Sequence, residues 1–125
     1  VALFHQPPAP AQIDAAEAHR LAAAGEALLL DVREPAEYAE VHAPASVLVP
    51  LGSLDSPGAL DGHLVPGADG PLVLALCRSG NRSQVATDLL NARGVRTVNV
   101  VGGMRAWLQA GLPSHQGECS CGTAI

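Results

Sequence analysis

The run Leu72-Val-Leu-Ala-Leu76 is short, continuously apolar and bounded by Pro71, and it opens directly into Cys77-Arg-Ser-Gly-Asn-Arg-Ser83. A run of this length without alternation reads as a strand buried on both faces, and the residues after the polar loop read as a helix. Such a strand needs helices above and below it. The chain therefore points to an α/β architecture: an open, mainly parallel sheet flanked by helices on both faces.

The remaining segments fit that alternation. Residues 1–12 are Pro-rich and read as an extended lead-in, 13–113 as one domain, and 114–125 as a flexible Cys-containing tail. Asp14 can cap a helix, Glu17 follows three residues on, and Ile13 can staple onto its first turns, with the end expected near Gly25. Strands are expected at Ala27–Val32 and Val47–Val49, with Pro35 opening a short helix through Ala39 between them. Short helical turns are expected near Gly52–Leu54 and Leu60–Val65, because a long structureless loop is rare in a compact domain. After Cys77, Val85, Leu89 and Ala92 recur at helical spacing and Gly94 can end that helix. A strand over Arg96–Val101 and a helix over Gly103–Ala110, stopped by Gly111 and Pro113, complete the pattern. Aromatic residues are so scarce that Leu, Val and Ala must build the core, and Met104 and Trp107 on the last helix are read as part of it rather than as a binding site.

At 125 residues and 48% hydrophobic, the chain is long enough to bury roughly two-thirds of its unfolded surface as one domain. A net charge of −5 with only seven basic residues disfavours nucleic acid as a partner. No run approaches the roughly 20 apolar residues that cross a bilayer. Three cysteines do not make a disulfide scaffold, so a reducing, cytoplasmic setting is expected. Val1 is not an initiator residue, which leaves a removed leader open.

Cys77 carries the chemistry. At a strand-to-helix junction several backbone N–H groups point into one concavity, and the helix N-terminus adds partial positive charge. Both stabilise a thiolate. Arg78 and Arg82 are expected to lower the Cys77 pKa further and to offer forked donors to an anionic substrate. The competing reading, an inert buried thiol, does not account for two arginines and Gly80 directly behind the cysteine.

Three separated blocks make the chain resemble the rhodanese family of single-domain sulfurtransferases over roughly residues 13–113. They are Leu30-Asp-Val-Arg-Glu-Pro-Ala-Glu-Tyr38 with His42-Ala-Pro44 and Val49-Pro-Leu51, the cysteine loop, and Gly102-Gly-Met-Arg-Ala-Trp-Leu-Gln-Ala-Gly-Leu-Pro113. The resemblance implies that Cys77 is the sulfur-carrying nucleophile and that Arg78, Ser79, Gly80, Asn81, Arg82 and Ser83 form the substrate-binding loop. Val41, Ala43 and Ala45 depart from the family's usual glycine, isoleucine and glycine, which bears on a local turn more than on the chemistry. Asp31, Arg33, Glu37 and His42 are read as structural supports, with Arg33 and Glu37 at ion-pairing distance across Pro35. His19 and His63 are read as solvated. The five histidines are scattered, so neither a metal nor another cofactor is expected.

The function expected is transfer of sulfane sulfur from a small-molecule donor such as thiosulfate to a thiol or protein acceptor, or to cyanide in vitro. Two alternatives stand beside it: a non-catalytic recognition module on the same fold, and a cysteine-dependent phosphatase or oxyanion reductase. Cysteine phosphatases have one more residue between Cys and Arg than the four that separate Cys77 from Arg82, and a histidine where this chain has Leu76. No general acid is evident for a phosphate leaving group, whereas sulfite and thiolates leave unaided. Cys119 and Cys121 are candidates for a thiol relay.

Overall fold

The computed structural model describes residues 12–54, 72–116 and the backbone of Thr123–Ala124. Four helices and six strands follow in the order β1 (Gln12–Ile13), α1 (Ala15–Ala23), β2 (Ala27–Asp31), α2 (Pro35–Glu40), β3 (Val47–Leu48), a 3-10 turn (Leu51–Ser53), β4 (Leu72–Leu76), α3 (Asn81–Ala92), β5 (Thr97–Val100), α4 (Gly103–Gln109) and β6 (Thr123–Ala124). The sheet order is β1-β5-β4-β2-β3-β6, and every neighbouring pair is parallel.

The unbroken apolar runs are explained by burial on both sides. Along β4, Val73 and Ala75 point with Leu30 of β2 towards Ala86 and Leu90 of α3. Leu74 and Leu76 point with Leu29 the other way, onto Ala15 and Ala18 of α1 and Met104 and Trp107 of α4. The period of two thus sorts one strand's side chains into two cores. Trp107, fully buried, also donates its indole N–H to the Pro113 carbonyl at 2.7 Å, so the polar end of the ring is satisfied. His19 packs edge-on against that ring instead of standing in solvent as expected, with centroids 5.4 Å apart.

Most elements fall where the sequence places them. Asp14 caps α1 by accepting from the Glu17 N–H at 2.7 Å, and Pro35 stands in the first turn of α2. Three differences are structural. Ile13 lies in β1, paired with β5, a strand the sequence did not announce, and its side chain packs on the core that holds Ala15 and Ala18 of α1. On α3 the buried face is Ser83, Ala86, Thr87 and Leu90, and Val85 is 55% exposed. The segment after Pro113 is tied back, since His42 and His115 exchange backbone hydrogen bonds of 2.8 and 2.9 Å and β6 pairs with β3. The turns expected over Leu60–Val65, His63, and the Cys119 and Cys121 pair lie outside the described residues.

Candidate active site

Register brings the site together. Asp31 at the end of β2 sits beside Leu76 at the end of β4, and Asn99 of β5 pairs with Ala75. The residues that leave all three strands therefore converge at their carboxyl ends, where open parallel sheets bind ligands. Cys77 is the first residue beyond β4, and its side chain continues the α3-facing row of Val73 and Ala75.

The loop from Cys77 to Gly80 is closed by hydrogen bonds to the sulfur. The Gly80 N–H donates to Cys77 Sγ at 3.0 Å and the Ser83 hydroxyl at 3.2 Å. Gly80 reaches this position with φ of +108°, and Asn81 then starts α3. Burial of the thiol works against ionisation, but the Ser83 hydroxyl and the amides of Ser83, Gly80 and Ser79 outweigh it, and the Cys77 pKa is lowered.

Two elements outside the loop, α4 and β5, shape it. The first turn of α4 donates into it: Met104 N–H to the Cys77 carbonyl at 2.7 Å and Arg105 N–H to the Arg78 carbonyl at 3.0 Å. Because each peptide is planar and trans, turning those two carbonyls towards α4 turns the Arg78 and Ser79 N–H groups the opposite way. Gly103 permits this approach; a Cβ there would stand 2.2 Å from the Cys77 carbonyl oxygen. From the β5 side, Asn99 Oδ1 lies 2.5 Å from the Ser83 hydroxyl, and its amide nitrogen donates to the Gly80 carbonyl at 3.3 Å and to Gln84 at 3.1 Å. Asn99 escaped the sequence reading. The signal in the sequence was an amide set between Val98 and Val100 in an expected inner strand; at 3% exposure its polar atoms need partners.

The charged residues pair differently from the sequence expectation. Arg33 binds Asp31 through both carboxylate oxygens, fully buried, and donates to the Glu37 and Val41 carbonyls at the end of α2. Its ion pair is with Asp31, not Glu37. Glu37 instead grips Arg82 of α3 through two bonds of 2.6 and 2.8 Å. The Arg82 guanidinium holds the Glu37 carboxyl well below the usual range, at about 2. Arg82 is thus a tie between α2 and α3, its charge largely matched, although it still interacts favourably with Cys77. Hydrogen bonds, more than arginine, lower the Cys77 pKa. His42 bonds through Nδ1 to the Tyr38 carbonyl at 2.9 Å and stacks on the Tyr38 ring. Arg78, Ser79 and Asn81 are exposed at the rim. No group of three or more metal-ligating side chains occurs among the described residues.

Fold and loop together define an open parallel α/β protein that presents a cysteine sulfur held by hydrogen-bond donors at the end of an inner strand. A family model for the rhodanese-like domain matches residues 14–110, and the chain belongs to that family. Thiosulfate sulfurtransferase 16, chloroplastic, of Arabidopsis thaliana is 33% identical over 112 residues, which cover 84% of this chain and 92% of the plant protein. The crystal structure of a rhodanese-related protein from Thermoplasma volcanium matches with a TM-score of 0.72 at 27% identity, over 84% of this chain and 97% of that one. Other relatives are longer. This chain spans 46% of an uncharacterized Synechocystis protein, 39% identical over 88 residues, and 22% of the maize adenylyltransferase and sulfurtransferase MOCS3-1, 36% identical over 103 residues.

Proposed function

We propose that this chain is a sulfurtransferase that carries sulfane sulfur as a Cys77 persulfide, taking it from a donor such as thiosulfate and passing it to a thiol or protein acceptor. The observation that carries the reading is the set of donors converging on Cys77 Sγ, the Gly80 N–H and the Ser83 hydroxyl. Amides fixed in place stabilise an anionic sulfur without a proton having to move, and the terminal sulfur of a persulfide is such an anion. Arg78 at the rim, and Arg82 with the part of its charge that Glu37 leaves unmatched, draw the anionic donor to the loop.

In the first half-reaction the Cys77 thiolate attacks the outer sulfur of thiosulfate. The new S–S bond forms as the old one breaks, and sulfite leaves with the bonding pair. In the second, an acceptor thiolate attacks the outer persulfide sulfur and Cys77 leaves as thiolate. The charge state of the leaving groups explains why no general acid is required. The relatives' names support the class of reaction: one is a thiosulfate sulfurtransferase, and another joins adenylyltransferase and sulfurtransferase in one chain. The described residues contain no helix long and apolar enough to cross a membrane, and we assign the reaction to a reducing, cytoplasmic setting.

The test is to incubate the protein with thiosulfate and weigh it. One added sulfur atom on Cys77, released as thiocyanate by cyanide, is the expected result. Turnover by Cys77→Ser, or sulfur found on another residue, overturns the assignment.

A further inference from the structure

The side chain of Asn99 is held in one orientation by groups that can only accept a hydrogen bond, a carbonyl and, one step removed, a carboxylate. Gln84 Nε2 donates to the Asp88 carboxylate at 3.1 Å, which turns Gln84 Oε1 towards Asn99. Asn99 Nδ2 donates to that oxygen at 3.1 Å and to the Gly80 carbonyl at 3.3 Å. Gln12 of β1 reaches the same Gln84 oxygen at 3.4 Å. With both amide protons spent, Asn99 meets Ser83 only through Oδ1, 2.5 Å from the hydroxyl. Asn99, Ser83 and Cys77 are all buried, so a hydrogen bond left unmade among them is costly.

The Ser83 hydroxyl has one proton for two acceptors, Asn99 Oδ1 and Cys77 Sγ. While Sγ is a thiol, every group is satisfied: the S–H points to Ser83 Oγ and the Ser83 O–H to Asn99. When Sγ ionises, the hydroxyl proton must turn to the thiolate, and two oxygens are left 2.5 Å apart with no hydrogen between them. Asn99 cannot relieve this by turning over, because its own carbonyl would then face that of Gly80. In a persulfide Sγ is divalent and uncharged, hence a weak acceptor. The charge lies on the outer sulfur, and the Ser83 proton returns to Asn99.

We propose that Asn99 is a positioning residue that acts through Ser83: it favours the states in which Cys77 Sγ carries no charge, and so retains sulfur on the loaded chain. Retention rests on the sulfur-transfer reading; the effect on Cys77 ionisation does not. In loading, the thiolate pair forms the new S–S bond as sulfite leaves, and the Ser83–Asn99 hydrogen bond is regained. In discharge the acceptor takes the outer sulfur, the bonding pair returns to Sγ, and that hydrogen bond is broken again. The charges around Cys77 are Arg82 of α3 with its partner Glu37 of α2, Asp31 of β2 with Arg33, and Arg78 of the loop. Arg105 of α4 holds the Arg78 carbonyl, and Asp88 stands at the far end of the Asn99 network. None of them is a hydrogen-bond partner of Asn99 among the described residues, so substituting Asn99 leaves these charges in place.

The experiment compares wild type, Asn99→Leu, Ser83→Ala and the double variant by the pH midpoint of Cys77 alkylation with iodoacetamide. Asn99→Leu frees the Ser83 proton for the thiolate and should lower the midpoint by about 0.5–1 pH unit; in the Ser83→Ala background it should have no effect. A merely structural role predicts the opposite sign, since a loop loosened at Gly80 takes a donor away from the sulfur. A raised or unchanged midpoint in Asn99→Leu, or the same lowering without Ser83, overturns the proposal. Above both midpoints, Asn99→Leu should load sulfur from thiosulfate about two- to threefold more slowly and discharge into cyanide faster by a similar factor, because a less basic thiolate attacks more slowly and leaves faster. Changes of the same sign in both steps overturn retention. A second measurement needs no substitution: the NMR signal of the Asn99 side-chain carbonyl carbon in the native chain should shift as Cys77 ionises and return when thiosulfate loads it. A signal that does not move on ionisation, or that loading leaves in its ionised position, overturns the proposal. A chain that takes up no sulfur overturns the sulfur-transfer reading instead, and the alkylation midpoints still decide the role of Asn99.

Discussion

Buried sulfur resists ionisation, and at Cys77 the donors that overcome this are local: the Ser83 hydroxyl and the amides of Ser83, Gly80 and Ser79. Ser83 has one hydroxyl proton and two acceptors within reach, Cys77 Sγ and Asn99 Oδ1, so the thiolate competes with the amide for it. Ser83→Ala removes a hydrogen bond to a charged group, on the order of 1.5–3 kcal/mol, and should raise the Cys77 pKa by at least about one unit. Alkylation by iodoacetamide as a function of pH reads this directly, and an unshifted midpoint would remove Ser83 from the site. A second residue shows strain without chemistry. Ala45 has φ of +63°, and the turn is pinned there because the Ser46 hydroxyl donates to the Ala43 carbonyl and the Tyr38 hydroxyl to the Ser46 carbonyl. Left-handed backbone costs an alanine roughly 1–2 kcal/mol, and glycine returns part of that through its freer unfolded chain. Ala45→Gly should therefore stabilise the fold by about 0.5–1 kcal/mol, seen as a higher urea midpoint at unchanged slope. The sequence departure from the family's glycine at this position was legible, but the cost became visible only with the backbone angle.

Between elements, the Glu37–Arg82 pair joins α2 to α3 across 45 residues of chain. The Glu37 pKa is depressed from its ordinary 4.5 to about 2, so the folded state binds this proton less readily than the unfolded state. Stability from the pair is then fully present above about pH 4.5 and is lost as pH falls towards about 2. Discounted for partial exposure, the loss amounts to about 1 kcal/mol. Glu37→Gln should flatten that part of the stability-against-pH curve while keeping the contact with the Glu34 N–H that starts α2, since glutamine serves the same capping position. An identical acid limb in wild type and variant would contradict the pairing. The same pair marks the limit of sequence reasoning about elements. Inner strands were readable because Leu72–Leu76 is unbroken apolar sequence and Ala27–Asp31 is apolar up to its last residue. The partner of Glu37 was not, because nearness in sequence favoured Arg33, while the fold gives Arg33 to Asp31. On α3, Val85 and Ala92 look like the core face with Leu89, yet both are exposed; Leu89 packs on the core in part, and the fully buried row is Ser83, Ala86, Thr87 and Leu90. The two-residue strands β1 and β6 carry no period at all; only their neighbours in the sheet define them.

At the scale of the molecule, three parts of the fold set the size of the anion cradle. The first turn of α4 holds the Cys77 and Arg78 carbonyls, Asn99 of β5 holds the Gly80 carbonyl, and Glu37 of α2 holds the Arg82 guanidinium. Gly103 lets α4 approach so closely that any side chain there would collide with the loop backbone, so the loop cannot widen towards α4 without giving up two hydrogen bonds. A cradle clamped on three sides and contracted onto one sulfur atom, with Gly80 N–H 3.0 Å from Sγ, is poorly suited to a tetrahedral oxyanion. Hydrolysis of phosphate monoesters by the native chain should therefore be negligible, and efficient turnover of p-nitrophenyl phosphate would overturn the size argument. Two variants separate the clamp from the loop length. Inserting one glycine between Asn81 and Arg82 enlarges the ring and should allow measurable binding of phosphate or tungstate at Cys77, read as slowed alkylation. Gly103→Ala leaves the ring length alone but forces α4 off the loop; it should lose sulfur loading and lower the unfolding midpoint without gaining oxyanion binding. If Gly103→Ala bound oxyanions as well as the insertion does, the distance to α4, not the number of loop residues, would be what selects the anion.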